Sequence, residues 1–143
     1  MSSISNDLIW ELTRNNSSYL LKRKTGGGVQ FSRDPLNVSG DYSYSASGYA
    51  NEKSVGVSLT SEGAVVLKSK KVGSFATPAK SVISTEFKPY TSQRKVYAAI
   101  AGVTKNYRDD MRLTAVKRAS QLLYSKKAKK TFAKKPRGKK ASE

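Results

Sequence analysis

The alternation of apolar and polar residues predicts two β-hairpins in the first half of the chain. Residues 18–24 and 29–32 are strand-like and are separated by a turn of three glycines, so they are expected to pair. Residues 53–59 alternate and residues 64–68 return after a Thr-Ser-Glu-Gly turn, which predicts the second hairpin. Residues 81–87 form either another strand or an extended link. The residues expected to share one face of the second hairpin are Val55, Val57 and Leu59.

Apolar residues at helical spacing predict one helix before the strands and two after them. The first begins at a Ser3 or Ser5 cap and ends near Arg14, and the others cover about 92–103 and 109–124. This order predicts an α+β fold over residues 1–125, with a small antiparallel β-sheet, an N-terminal helix and two C-terminal helices. The expected apolar stripes are Ile4, Leu8, Ile9 and Leu12; Val96, Ala99, Ile100 and Val103; and Met111, Ala115, Ala119 and Leu122.

Several aromatic residues allow two interpretations each. Trp10 points away from the apolar stripe of the first helix, so it either folds over a neighbouring strand or forms an exposed platform for a base or a partner protein. Tyr42, Tyr44 and Tyr49 lie in a polar segment, 34–52, that reads as a loop. These rings either stack on unpaired RNA bases or cover the edge of a small core.

The chain is strongly basic, and the charge is unevenly distributed. Its 143 residues include 27 Lys and Arg against 10 Asp and Glu, a net charge of +17. Residues 1–125 carry 18 of these cations and 9 of these anions, whereas residues 126–143 carry the other 9 cations and one anion. This Lys-rich extension is too polar and too self-repelling to fold alone, so we expect it to become ordered only on RNA.

Composition also excludes several classes of function. The chain has no Cys and no His, which removes disulfide scaffolds, zinc fingers and nucleophilic sites of the Ser-His-Asp or Cys-His type. Gly26–Gly28 lack the spacing of a phosphate loop, and Asp109 and Asp110 read as charges at a helix N-terminus. We therefore expect no enzyme activity, no metal and no cofactor. No apolar run reaches membrane-spanning length, and no secretory signal or lipid anchor is apparent.

Several segments together resemble the eukaryotic large-subunit ribosomal protein twenty-eight (L28e) family. The similarity extends over about residues 8–125, and Asp109 stands where the family has Pro. Residues 31–34 and 37–40 also resemble the ribosome-maturation factor Mak-sixteen, but that factor carries cysteines and an acidic C-terminal part. The segments that resemble the ribosomal family are 8–11, 14–23, 29–33, 47–51, 55–57, 107–112 and 115–120.

The resemblance implies a structural constituent of the cytoplasmic large ribosomal subunit, with nucleolar passage during assembly. Its expected partners are large-subunit rRNA and neighbouring large-subunit proteins, with neither a membrane nor a small-molecule substrate. A nuclear ribosome-biogenesis factor and a general basic RNA-binding protein remain alternatives.

The candidate RNA-binding residues follow from the physics of phosphate contacts, which Lys and Arg supply largely without regard to sequence. Tyr42, Tyr44 and Tyr49 are the candidates for base stacking. The candidates for phosphate contacts are Lys22, Arg23, Lys24, Lys53, Lys70, Lys71, Arg94, Lys95, Arg108, Arg112, Lys117 and Arg118 in the domain, and Lys126, Lys127, Lys129, Lys130, Lys134, Lys135, Arg137, Lys139 and Lys140 in the extension.

Overall fold

A computed structural model describes residues 4–74, 77–129 and 131–132. A helix, five strands and two further helices follow one another along the chain, as the hydrophobic pattern predicts. Short 3-10 turns lie at Pro78–Lys80 and Asp109–Met111. The elements are α1 (Asn6–Thr13), β1 (Leu20–Lys22), β2 (Gln30–Ser32), β3 (Val55–Leu59), β4 (Val65–Lys70), β5 (Val82–Phe87), α2 (Gln93–Tyr107) and α3 (Arg112–Ser125).

The strands form two antiparallel sheets, whereas the sequence analysis expected one. β1 and β2 pair as a separate hairpin, with Leu21 opposite Phe31. β3, β4 and β5 form the second sheet in that order, with Val57 opposite Leu67 and Leu67 opposite Thr85. The α+β class and both hairpins are confirmed, and residues 81–87 supply a true edge strand.

The core lies between one face of the three-stranded sheet, called here the inner face, and the two C-terminal helices. Alternation along β3 and β4 directs every second side chain to this face, where it is removed from water. Small residues of α3 allow that helix to approach the sheet closely, and Ile100 of α2 is fully buried. The buried cluster contains Val38, Val55, Val57, Val65, Leu67, Val96, Ile100, Ala115, Ala119 and Leu123.

The helices differ from the predictions at two places. α2 extends to Tyr107, and the residue buried near its C-terminal end is Thr104, whereas Val103 is 47% exposed. Thr104 tolerates burial because its hydroxyl donates to the Ile100 carbonyl at 2.8 Å. The last helix begins as a 3-10 turn at Asp109 before α3 proper. Within the described ranges, no helix combines the length and the apolar character needed to cross a bilayer.

The loop 33–54 packs beside β3 against part of the opposite face of the three-stranded sheet, called here the outer face. Asn37 forms a parallel bridge with Val55, which places the loop beside the start of β3. Gly56 of β3 is buried, and a Cβ atom at this position would collide with the carbonyl oxygen of Pro35. The loop can approach the sheet this closely only because residue 56 has no side chain.

The loop satisfies its own polar backbone through short side chains. The two carboxylate oxygens of Asp34 accept the amide protons of Leu36 and Gly48, each at 2.9 Å. The side-chain amide of Asn51 donates to the Tyr44 carbonyl at 2.7 Å and to the Ser47 carbonyl at 2.9 Å. These bonds take the place of part of a strand ladder, so four backbone groups of this polar segment are paired where it lies against the sheet.

We predict opposite effects from adding one methyl group at two glycines. Gly56→Ala should lower the free energy of unfolding by about 1–3 kcal/mol, because the loop must move away from β3. Gly102→Ala is the matched control, since Gly102 lies within α2 with open space around it. This control should raise the free energy by about 0.5–1 kcal/mol through helix propensity alone. Urea denaturation measures both changes, and equal effects of the two substitutions would contradict the packing of the loop.

Candidate nucleic-acid interface

Trp10 and two tyrosines attach α1 to the loop 33–54. The side chain of Ser5 caps the helix by accepting the Leu8 amide proton at 3.2 Å. The Trp10 ring lies 5.2 Å from the Tyr42 ring and 5.9 Å from the Tyr44 ring, centroid to centroid. The Tyr42 hydroxyl donates to the carbonyl of Thr13 at 3.0 Å. Trp10 therefore packs against the loop, whereas the sequence analysis offered a neighbouring strand or full exposure.

Tyr44 also contacts the first turn of α1. A hydrogen bond to the Asp7 carboxylate, together with partial desolvation and the negative charge, raises the pKa of Tyr44 above its ordinary value of 10.0. Tyr42 and Tyr44 are thus engaged in holding α1 to the loop, a role that was not considered for them, and their stacking on RNA bases stays a prediction. Tyr49 makes no such contact with α1 and is 63% exposed.

The apolar stripe of α1 faces away from the core. Ile4, Leu8 and Leu12 are 65%, 51% and 68% exposed, and no residue of this helix is buried. The helical spacing was predicted correctly, but spacing alone does not reveal which face of a short helix the fold covers. Here the covered side is the one that carries Trp10.

Three clefts meet at Tyr49. The first, called the hydroxyl cleft, has a volume of about 210 Å³ and is lined by Asp34, by several Ser, Thr and Asn residues, and by the tyrosines Tyr19, Tyr42 and Tyr49. The second, called the lysine cleft, has a volume of about 390 Å³ and adds Lys68 and Lys70 from the outer face of β4. The third contains Lys71 as well. Tyr49 therefore borders a polar cleft whose one charged group is Asp34, and a second cleft in which Lys68 and Lys70 accompany the same carboxylate.

The predicted phosphate-contact residues occupy several elements, and most of them are accessible. Nine of the twelve domain residues have exposed side chains, whereas Lys70, Arg108 and Arg112 are half-buried. The exposed group contains Lys22 at the end of β1 and Arg23 and Lys24 after it; Lys53 before β3; Lys71 after β4; Arg94 and Lys95 at the start of α2; and Lys117 and Arg118 in α3. Of the extension, Lys126, Lys127 and Lys129 are exposed, and Lys130, Lys134, Lys135, Arg137, Lys139 and Lys140 lie outside the described residues.

Lys70 and Arg108 form hydrogen bonds inside the protein. The ammonium group of Lys70 donates to the carbonyls of Asn51 and Gly48, at 3.0 and 3.3 Å. Arg108 donates to the carbonyls of Lys53, at 2.9 Å, and Ser45. Both side chains therefore hold the loop in place. Their proposed phosphate contacts remain predictions, and the structure gives them a role in the fold.

Tyr107 and the charged residues that follow it within residues 108–112 connect the two C-terminal helices to each other and to the sheet. The Tyr107 hydroxyl accepts the Ser54 amide proton at 3.0 Å and donates to the Lys70 carbonyl. Asp110 is paired with Arg108 at 3.2 Å, and Asp109 lies 3.9 Å from Arg112. The adjacent carboxylates thus neutralise arginines at the start of the last helix, in line with the structural reading of these residues.

Two basic residues have positions that the sequence analysis did not anticipate. Lys68 was not among the candidates, yet it lines the lysine cleft beside Lys70. The two lysines are two residues apart on β4, and this spacing alone places them on one face of a strand. Lys126 folds back, because its ammonium donates to the carbonyls of Gly63 at 3.3 Å and Pro89 at 3.5 Å.

We predict that Lys70 contributes to stability with a characteristic pH dependence. Lys70→Met keeps most of the stem but removes two hydrogen bonds, and should lower the free energy of unfolding by about 1–2 kcal/mol. Partial burial lowers the pKa of Lys70 below 10.5, an effect that Asp34 and Glu52 partly offset. As the pH rises toward 10.5, the unfolded chain binds more protons at this residue than the folded chain. The stability of the wild type relative to Lys70→Met should therefore increase.

Urea denaturation of the wild type and of Lys70→Met at a series of pH values rising toward 10.5 measures how their difference in stability depends on pH. Lys68→Met is the matched control, because Lys68 lies on the same face of β4 and should change stability by no more than about 0.5 kcal/mol. A stability difference between wild type and Lys70→Met that does not change with pH would contradict the partial burial of the ammonium.

Sequence comparisons agree with the resemblance noted from the motifs. A model of the ribosomal L28e protein family matches residues 8–125. The large ribosomal subunit protein eL28 of Schizosaccharomyces pombe is 42% identical over 133 residues, which cover 92% of this chain and 99% of that protein. The eL28 protein of Dictyostelium discoideum is 29% identical over 92% of this chain and 97% of its own length. The eL28 protein of Caenorhabditis elegans is 34% identical over 71% of this chain and 79% of its own length. The chain therefore belongs to the ribosomal L28e protein family.

Proposed function

We propose that this protein is a structural constituent of the cytoplasmic large ribosomal subunit and binds large-subunit rRNA through its basic surface and its extension. The observation that carries the proposal is the match to the L28e family over residues 8–125, joined to a net charge of +17. Membership in this family of structural ribosomal proteins also confirms that the chain is not an enzyme.

The distribution of exposed cations supports an RNA partner. Basic side chains lie exposed on the first hairpin, at the end of β4, at the start of α2 and along α3. Phosphate contacts of this kind provide affinity and position the protein on the RNA. Specificity then depends on RNA shape and on bases that are free to stack.

The positive charges of Arg94 and Lys95 lie at a helix end where they do not stabilise the protein by itself. They occupy the first turn of α2, which contains no acidic residue, and the capping Ser92 makes no side-chain hydrogen bond. Cations at a helix N-terminus oppose the helix dipole. A phosphate group near this helix end would interact favourably with both side chains, which gives these charges a use on RNA.

Fractionation of a cell lysate on a sucrose gradient tests the proposal directly. The protein should migrate with mature large subunits and translating ribosomes. Neighbouring large-subunit proteins would be its remaining partners, and a transient nucleolar pool would reflect passage during assembly. Confinement to nuclear pre-ribosomes would instead support a maturation factor. Recovery only in free RNA-containing fractions would support a general RNA-binding protein.

We predict that the extension accounts for a separable part of the salt dependence. Replacing the basic residues after Lys126 with Gln should flatten the plot of log affinity against log salt by about 0.7–0.9 for each phosphate that the extension no longer neutralises. If the extension neutralises about 5–8 phosphates, the slope of log affinity against log salt should change by several units. Lys126 is left intact because it bonds to the folded domain. Binding of large-subunit rRNA at several salt concentrations measures the slope.

A variant with the same extension residues in scrambled order provides the control. Interactions that depend only on charge density should survive scrambling, so this variant should retain the wild-type slope. An unchanged slope after replacement with Gln would show that the extension does not contact phosphate.

A further inference from the structure

The hydroxyl cleft differs chemically from the rest of this basic protein. Its lining consists of hydroxyl, amide and aromatic groups with one carboxylate, Asp34, and neither Lys nor Arg is among its described lining residues. A phosphate group placed here would face Asp34 without a cation. The cleft is therefore suited to a neutral heterocycle with hydrogen-bonding edges.

The serines of the hydroxyl cleft are fixed in orientation and still able to bind. The hydroxyl oxygens of Ser17, Ser32 and Ser47 accept the amide protons of Tyr19, Asp34 and Ala50, at 3.3, 3.2 and 3.3 Å. A hydroxyl that accepts one hydrogen bond keeps its own proton to donate. The cleft thus presents donors held in place by the backbone, the arrangement that orients a small polar ligand.

The size and the walls of the cleft match a single base. Its volume of about 210 Å³ is below the range of about 300–1,000 Å³ typical of sites for drug-sized ligands. Tyr19 and Tyr49 form walls that it shares with the lysine cleft, and they are 39% and 63% exposed. Exposed tyrosine rings are the surfaces on which unpaired bases stack.

The cations line the two neighbouring clefts that Tyr49 also borders. Lys68 and Lys70 line the lysine cleft with Asp34, and Lys70 and Lys71 line the third cleft with Glu52, so lysines outnumber carboxylates in each. Lys70 is bonded to the loop, so Lys68 and Lys71 are the ammonium groups available to an anion. A base site and a phosphate site thus flank one aromatic ring.

We propose that this region binds one unpaired RNA nucleotide. Its base enters the hydroxyl cleft against Tyr49, and the phosphates on its two sides lie at Lys68 in the lysine cleft and at Lys71 in the third cleft. The inference rests on the proposed function, since it assumes that RNA is the partner. It adds a defined site at which a base is held, beyond general attraction to phosphate.

Binding of the full-length chain to a short single-stranded oligouridylate, followed by fluorescence anisotropy at several salt concentrations, tests the inference. Tyr49→Ala should weaken binding roughly tenfold or more, equivalent to about 1.4 kcal/mol, with an unchanged salt slope. Tyr49→Phe should retain most of the affinity, because the ring remains. Lys71→Ala should reduce the slope by about 0.7, the value for one phosphate contact on a single strand.

Two controls separate this site from general effects. Tyr90→Ala removes a tyrosine that is 80% exposed but lines none of the three clefts, and should leave binding unchanged. With an RNA duplex as the probe, Tyr49→Ala should have no effect, because paired bases cannot enter the cleft. Thermal unfolding of each variant verifies that the fold is intact.

The outcomes distinguish this inference from the proposed function. If the wild type binds the oligouridylate with a steep salt dependence and Tyr49→Ala binds equally well, the base site is refuted and the proposed function stands. If the wild type binds neither this RNA nor large-subunit rRNA, both are refuted.

A titration with uridine monophosphate, followed by amide chemical shifts, gives an independent result. Shifts at Ser17, Ser32 and Ser47 that inorganic phosphate does not reproduce support the base site. Identical shifts with phosphate alone refute it.

Discussion

The close approach of the Pro35 carbonyl to Gly56 is the constraint on which the rest of the structure depends. Among the described residues, the helices that pack on the three-stranded sheet lie on its inner face, so part of its outer face needs another cover. That cover is a polar loop, which can reach the sheet because residue 56 carries no side chain. Once the loop lies there, its position determines where the aromatic rings, the clefts and several of the cations are found.

The loop is held by lysine and arginine side chains, which are usually solvent-exposed in proteins. Lys70 donates from β4 to the loop carbonyls, and Arg108 donates from the end of α2. The hydroxyl of Tyr107 connects the same region to the start of β3 and the end of β4, which lie at one end of the antiparallel pair. A basic protein thus uses part of its charge to build its own fold, and only the remaining cations are available to phosphate. This division explains why net charge alone overstates the number of cations that are free to contact an external anion.

The first helix is attached to the molecule without adding a residue to its core. α1 contributes no buried residue and is attached through Trp10, which packs on Tyr42 and Tyr44. The position of α1 therefore depends on the position of the loop, because both tyrosines belong to the loop. The aromatic residues near the N-terminus therefore stabilise the molecule around the loop, and Tyr49, which lies outside this cluster, is left to face solvent between the clefts.

The sequence by itself determined the order of elements, both hairpins, the α+β class and the family, because these depend on local periodicity and on motifs that are read along the chain. It also indicated that residues 34–52 form a loop. Only the tertiary structure decided that the strands divide into two sheets, that Thr104 is buried where Val103 was expected, and that Lys70 and Arg108 turn inward. The physical reason is that each of these outcomes depends on contacts between residues far apart in the chain, such as Gly56 with Pro35 and Tyr107 with Ser54. Periodicity reports which residues share a face, but only packing decides what that face meets.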